Sequence, residues 1–275
     1  MNKNTILFVV LSMIFAVCSC SSSKEKKAEE NKIEFDSIKV DSTYHLFNDT
    51  TKPAISIDSK IIFPVNFGND RIYLSIKRQM IKDALNLETT NDPKQDIAKY
   101  VENLIADYKK LEKIYKNDTL TDDDVTYVAE QNVSQEVTFN QDSILTIFTN
   151  TYSFSGGAHG MTIMQYANYD LRNGQKIRLS DLFADDYSNL LTPIILGKLV
   201  QDNKVQQPTD LEQNGFIDVS EIKPTENFYL DEIGITFVYN QYDIACYAMG
   251  QIKVFIPYSD LSFLILDNSR IKKYL

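Results

Sequence analysis

The chain has 275 residues, 43% of them hydrophobic and 24% charged, with 28 basic against 38 acidic side chains and a net charge of −10. That balance argues against nucleic acid as a partner, because a phosphate backbone is bound by clustered Lys and Arg. Three cysteines and two histidines leave little from which to assemble a zinc site or a disulfide framework, so no metal or cofactor is expected, while the hydrophobic fraction is that of a globular fold.

Asn2-Lys3-Asn4 precedes an apolar run from Thr5 to Val17, which ends in Cys18-Ser19-Cys20 and a serine tract. A positive start and a short apolar core fit a secretory signal peptide over residues 1–19, and the run is too short to span a bilayer comfortably. Val17-Cys18-Ser19-Cys20 resembles a bacterial lipobox. Cys20 is the expected lipidated residue, since modification of the rival Cys18 would place bulky Val17 where a small side chain is wanted. The alternative is an unlipidated signal with incidental cysteines. Acyl chains would hold the protein on a membrane at about 0.8 kcal/mol per buried CH₂. Residues 20–32 are polar and charge-mixed, as suits a flexible tether, and Ser21 in place of Asp fits sorting to the outer membrane of the cell envelope. From residue 20 onward the chain carries 27 basic against 38 acidic side chains, or −11. Cys246 is then alone beyond the lipobox and is expected to be a small buried apolar residue.

Residues 33–67 alternate in short Ile-, Val-, Phe- and Tyr-rich stretches, which predicts strands parted by Asn48-Asp49-Thr50-Thr51. Gly68-Asn69-Asp70 opens a helix with Tyr73, Ile76, Met80 and Ala84 on one face. A second helix has Asp92 as its cap, Pro93 in the first position and Gln95 to complete a capping box. Its apolar stripe runs through Ile97, Val101, Leu104, Ile105, Tyr108, Leu111 and Tyr115, with Lys, Glu and Asp opposite. Beyond the acidic Asp122-Asp123-Asp124 loop the period becomes two. Val133 to Phe154 predict a long hairpin turning at residues 140–143, and Asn173-Gly174 predicts a second hairpin with a type I′ turn. Ser180-Asp181 is expected to cap a short helix, a longer one to cover Tyr187 to Val200, and residues 201–227 to loop over the surface. Two late strands, 234–240 and 251–258, precede a terminal turn capped by Ser259-Asp260. Helices early and strands later give α+β, as two modules with antiparallel β-sheets packed against helices: an N-terminal domain over 33–160 and a C-terminal one over 161–275.

Ser155-Gly156-Gly157-Ala158-His159-Gly160 is the most unusual local sequence. Its glycines permit positive φ and close backbone approach, but no Gly-Lys-Ser/Thr follows to make a phosphate loop, and with His45, far away in sequence, as the other histidine there is no His-rich metal triad or H-x-x-x-H pair. The alternative is a tight turn with a locally bonded imidazole. No nucleophile elbow, Walker motif or dinucleotide fingerprint is present. No catalytic residue is assigned, although two catalytic carboxylates could lie among the 38 acids.

Three segments, 143–160, 169–183 and 234–261, resemble in order and spacing a family of paired domains. These domains form the extracellular part of the lysozyme-binding anti-sigma factor RsiV and precede the catalytic domain of the peptidoglycan deacetylase PdaC. The likeness covers roughly residues 33–265. It is most specific at Gly156-Gly157-Ala158-His159-Gly160 and from Tyr242 to Tyr258, where Asp243 fills an acidic place and Cys246 stands where proline is usual. The resemblance implies an envelope module that meets cell-wall glycan or a lysozyme-like protein. No sigma-binding segment or deacetylase domain is expected. Gly156, Gly157, His159, Tyr242, Asp243 and Tyr247 are the candidate ligand-binding residues, because irregular segments on a rigid scaffold often carry function. A carboxylate-dependent enzyme acting on envelope glycans and a structural envelope protein are the alternatives.

Overall fold

The computed structural model describes residues 33–116 and 127–275. The signal peptide, tether, Cys20 and Asp122-Asp123-Asp124 lie outside the described residues. Among those described, six strands hydrogen-bond in chain order and three more form a second sheet, with helices packed on them, which is an α+β fold. The strands do not follow the helices as a block, since they precede and follow them in turn. Compactness divides the chain into one unit of residues up to 133 with 155–157, and another of 134–154 with 158–275. Residues 134–154 and 158–160, expected in the N-terminal domain, thus group with the second unit.

In the first unit β1 (Glu34–His45) and β2 (Ala54–Asn66) pair antiparallel over nearly their whole length, so the first two predicted stretches are one strand. Ile55, Ile57, Ser59 and Ile61 are buried on alternate positions of β2 while Asp58 and Lys60 are exposed, as period two requires. Helix α1 (Asp70–Leu85) starts where the Asn69 side chain accepts from the Arg71 and Ile72 N–H groups, and ends at left-handed Asn86. Helix α2 (Pro93–Lys109) is capped by Asp92, whose carboxylate accepts from Lys94 N–H at 2.9 Å; such a cap contributes about 1 kcal/mol. The capping box is only half formed. The Asp92 N–H is already bonded to Thr90 Oγ1 at 3.3 Å, and Gln95 donates instead to the Asp92 carboxylate at 2.9 Å. The stripe continues into a separate short helix, α3 (Leu111–Tyr115). Asp96, expected on the charged face, is buried, accepting from the Thr89 hydroxyl and from Thr90 N–H at 2.7 Å. Ile61, Ile81, Ile97 and Val133 form one core cluster, and Leu46, Ile57, Val101, Tyr108 and Tyr127 another.

Strand β3 (Ala129–Gln141) runs into the second unit and turns through Asp142 and Ser143, at φ 57° and 64°, into β4 (Ile144–Ser155). Strand β5 (Met161–Asp170) pairs antiparallel with β4. The expected type I′ turn at Asn173-Gly174 does not form. Four residues separate β5 from the two-residue β6 (Gln175–Lys176), because the Asp170 carbonyl accepts from both Asn173 and Gly174 N–H and only Gly174 takes a positive φ. Helix α4 (Leu179–Leu182) begins ahead of Ser180-Asp181, and Asp181 accepts from Arg178 N–H from within its first turn. Helix α5 (Tyr187–Asn203) follows.

Residues 201–227 do not stay on the surface. Leu211, Phe216, Val219 and Ile222 are buried through short 3₁₀ turns and join the large cluster around Leu191, Phe228, Phe237 and Ile256, where removal of apolar surface outweighs the polar character of the segment. The second sheet is β7 (Phe228–Leu230), β8 (Gly234–Tyr239) and β9 (Ile252–Pro257), of which β7 had no sequence signal. A last short helix, α6 (Tyr258–Leu261), contains Ser259-Asp260 rather than being capped by them.

Candidate functional site

The even-numbered residues of β5 present one row of backbone N–H and C=O groups, and β6 covers only its end, where Ile177 N–H meets the Asn168 carbonyl at 2.7 Å. Side chains finish the row. The Tyr166 N–H donates to Asn227 Oδ1 at 2.8 Å, and Asn227 Nδ2 donates to the Met164 and Val238 carbonyls at 2.8 and 3.0 Å. The Met164 N–H donates to Asn240 Oδ1 at 2.7 Å. The Thr162 N–H reaches Gln241 Oε1 at 3.4 Å, and the Thr162 carbonyl accepts from Gln251 at 3.2 Å. The Tyr247 hydroxyl then donates to the Gly160 carbonyl at 2.8 Å. An exposed strand edge is thereby blunted by amide and hydroxyl groups in place of another strand.

This ladder brings together the two segments singled out in the sequence. The exposed His159 ring stacks on Tyr247, with centroids 3.8 Å apart and planes at 23°, and its Nδ1 lies 3.2 Å from the Gly160 carbonyl oxygen. Tyr242 follows at 5.8 Å from Tyr247, 52% exposed and held at φ 70°. A Cβ on Gly160 would lie 2.4 Å from the Tyr152 ring, so the residue is glycine because an aromatic packs against its backbone. Asp243 is exposed and shapes the turn, accepting from Asn240 N–H at 2.7 Å. Gly156 and Gly157 belong to the first unit and serve the turn after β4 with φ of 80° and 95°. Cys246 is a free thiol, half-buried rather than buried as expected.

The geometry therefore separates two duties. Tyr247 bonds backbone through its hydroxyl and offers its ring to His159, while Tyr242, His159 and Asp243 remain turned to solvent as an aromatic row with one carboxylate beside it. Asn227, Gln241 and Gln251, which complete the edge, gave no sequence signal of their own. Asn and Gln flanking β8 and β9 was the only hint. Among the described residues no group of three His, Cys, Asp or Glu is placed to hold a metal ion, and no helix is long and apolar enough to cross a membrane.

A sheet of long strands bearing helices, followed by a helix-covered three-stranded sheet tied to β5 by side-chain amides, defines a chain of two consecutive domain types. Residues 54–162 match the family model described as deacetylase PdaC, and residues 180–259 match that of a protein of unknown function, DUF3298. The solved structure of a DUF3298 family member from Bacteroides fragilis is 33% identical, with a TM-score of 0.82, covering 89% of this chain and 98% of that one. The chain belongs to the DUF3298 family. A DUF3298 family structure from Pseudomonas aeruginosa, 18% identical with a TM-score of 0.56, covers 87% of this chain and 97% of that one and shares the fold. The peptidoglycan-N-acetylmuramic acid deacetylase PdaC of Bacillus subtilis is 24% identical over 140 residues, which are 50% of this chain and 30% of that protein. The chain thus spans less than a third of that curated relative.

Proposed function

We propose that the protein is a non-enzymatic, lipid-anchored module of the bacterial cell envelope, probing peptidoglycan glycan with the aromatic row of His159, Tyr247 and Tyr242. The observation that carries this reading is the stacking of His159 on Tyr247 with Tyr242 exposed beside them, fixed beside a strand edge to which the Tyr247 hydroxyl is itself bonded. Amphipathic rings on a rigid frame suit a sugar, which presents C–H faces to the ring and hydroxyls to water or to Asp243. The acyl group on Cys20 and sorting by Ser21 would place the module at the outer membrane, and a relative named as a peptidoglycan deacetylase points to the same polymer.

The test is co-sedimentation of residues 24–275 with purified peptidoglycan. Tyr242→Ala is expected to lower apparent affinity roughly two- to tenfold, the equivalent of one aromatic contact. An unchanged bound fraction would remove the aromatic row from the reading, and no sedimentation of the parent chain would remove the glycan. The charge of −11 from residue 20 onward supports a second reading, capture of a basic lysozyme-like protein by electrostatic steering. Calorimetric titration with lysozyme separates the two, because that affinity would fall with added salt while glycan stacking would not. Release of new reducing ends from the peptidoglycan would instead favour a carboxylate-dependent enzyme.

A further inference from the structure

We propose that the second unit carries a separate cleft for an oxyanion, a phosphate or carboxylate group of a small ligand. The cleft, of about 560 Å³, is lined by Asp170, Arg172, Lys176, Arg178, Asp181 and Arg270 together with neutral polar side chains. Asp170, only 6% exposed, is its pivot. Arg270 bonds both of its oxygens, Nε to Oδ2 at 2.8 Å and Nη2 to Oδ1 at 2.9 Å. Arg172 does the same from the other side, with Nη2 to Oδ2 at 2.8 Å and Nε to Oδ1 at 3.1 Å. Burial pushes the Asp170 carboxyl above its usual value, opposed by Arg270.

One carboxylate neutralises one of the two guanidiniums and orients both through Nε and Nη2, and among the described residues their Nη1 groups make no hydrogen bond. Arg178 adds a further charge, and among the described residues it forms no ion pair. The remaining acid, Asp181, is engaged by the Arg178 N–H at 2.8 Å. Three guanidiniums against two carboxylates therefore line one cleft of a chain whose net charge is −10. A guanidinium fork matches planar or tetrahedral oxyanions with two parallel N–H bonds, and here the forks are held in place before any ligand arrives.

The experiment is calorimetric titration of the full chain at low salt with inorganic pyrophosphate and, separately, with citrate. Saturable binding of at least one is expected, and the preferred probe identifies whether phosphate or carboxylate is the natural group. Arg178→Gln, at an exposed and unpaired side chain, is expected to weaken that binding about tenfold with an unchanged melting temperature, and Arg172→Gln by a similar factor. Lys39→Gln, an exposed cation of the first unit, is expected to leave it unchanged. Absence of saturable binding of both probes, an affinity indifferent to Arg178→Gln, or an equal loss in Lys39→Gln would each overturn the proposal. The aromatic row takes no part in these readouts, so either site can fail without the other.

Discussion

In the first unit the chain between β1 and β2 passes through Phe47 and Asn48 at φ 58° and 55°, a conformation that side-chain-bearing residues adopt at a cost of order 1 kcal/mol or more. A carboxylate from α3 ties it. Glu112 accepts from Phe47 N–H at 2.7 Å and from the Tyr44 hydroxyl at 2.8 Å. In the second unit a longer irregularity, the free edge of β5, is held by neutral groups, chiefly Asn227, Asn240 and Gln251. Both units tie backbone with side chains more than 60 positions away, but among the described residues only the first does so with a carboxylate. A carboxylate gives stronger, charge-assisted bonds and acid sensitivity with them, whereas an amide both donates and accepts and is indifferent to pH.

The largest expected effect comes from breaking the neutral ladder. Asn227→Ala strips partners from Tyr166 N–H and from the Val238 carbonyl, while the Met164 carbonyl keeps Asn240 Nδ2 at 3.1 Å, and at about 1–3 kcal/mol for a group left unsatisfied, a loss of about 2 kcal/mol is expected in denaturant unfolding. Asn227→Asp tests the chemistry more sharply. It keeps the acceptor for Tyr166 but sets a carboxylate against two carbonyl oxygens, a repulsion that protonation relieves by giving one O–H to donate to one of them. The folded-state value of that carboxyl would then be raised, so its contribution is present in acid and is lost as pH rises. This variant should be more stable in mild acid than at neutral pH, and a flat profile would show that the amide donors do not hold the edge.

Glu112 should behave with the opposite sign. The bonds from Phe47 and Tyr44, with Lys109 and Lys116 nearby, hold its carboxyl below the usual glutamate range. A depressed folded value means stability present above the unfolded value and lost as pH falls through the folded one. Burial and the bond to Glu112 together push the Tyr44 hydroxyl up to about 12, so Tyr44 stays a donor throughout. Hydrogen exchange at the Phe47 amide should therefore accelerate below the ordinary glutamate range, and Glu112→Gln, which keeps an acceptor oxygen, should abolish that dependence while slowing exchange less well at neutral pH. Equal acid sensitivity in parent and variant would assign the effect to other carboxylates.

Features written within a few residues were legible in the sequence. Asp92-Pro93 started α2, and the alternation around Asp142-Ser143 gave the β3–β4 hairpin. The same local logic failed at Asn173-Gly174, where the Asp170 carbonyl claims both following amides, and over residues 201–227, where four apolar side chains among many polar ones suffice to bury the segment. At the candidate site, glycines and aromatics marked Gly156–Gly160 and Tyr242–Tyr247. That His159 lies on Tyr247, and that Tyr247 closes the β5 edge, depends on partners 87 positions apart, for which periodicity carries no signal. The Asp170 cleft escaped for the same reason, since Arg270 reaches it from 100 positions away.

The smallest effect separates charge from stacking. Lys109 lies 4.7 Å from the Tyr44 ring centroid in the first unit, and Lys253 lies 6.0 Å from that of Tyr166 in the second. Both lysines are exposed, so Lys109→Ala and Lys253→Ala should each lower stability by only about 0.5 kcal/mol at neutral pH. Their acid profiles should differ. Lys109 is one of the cations that depress Glu112, so its loss should raise the pH at which exchange at Phe47 accelerates, while Lys253→Ala should leave that midpoint where it is. Equal shifts in the two variants would mean that net charge, and not the Glu112 contact, governs the acid response of the first unit.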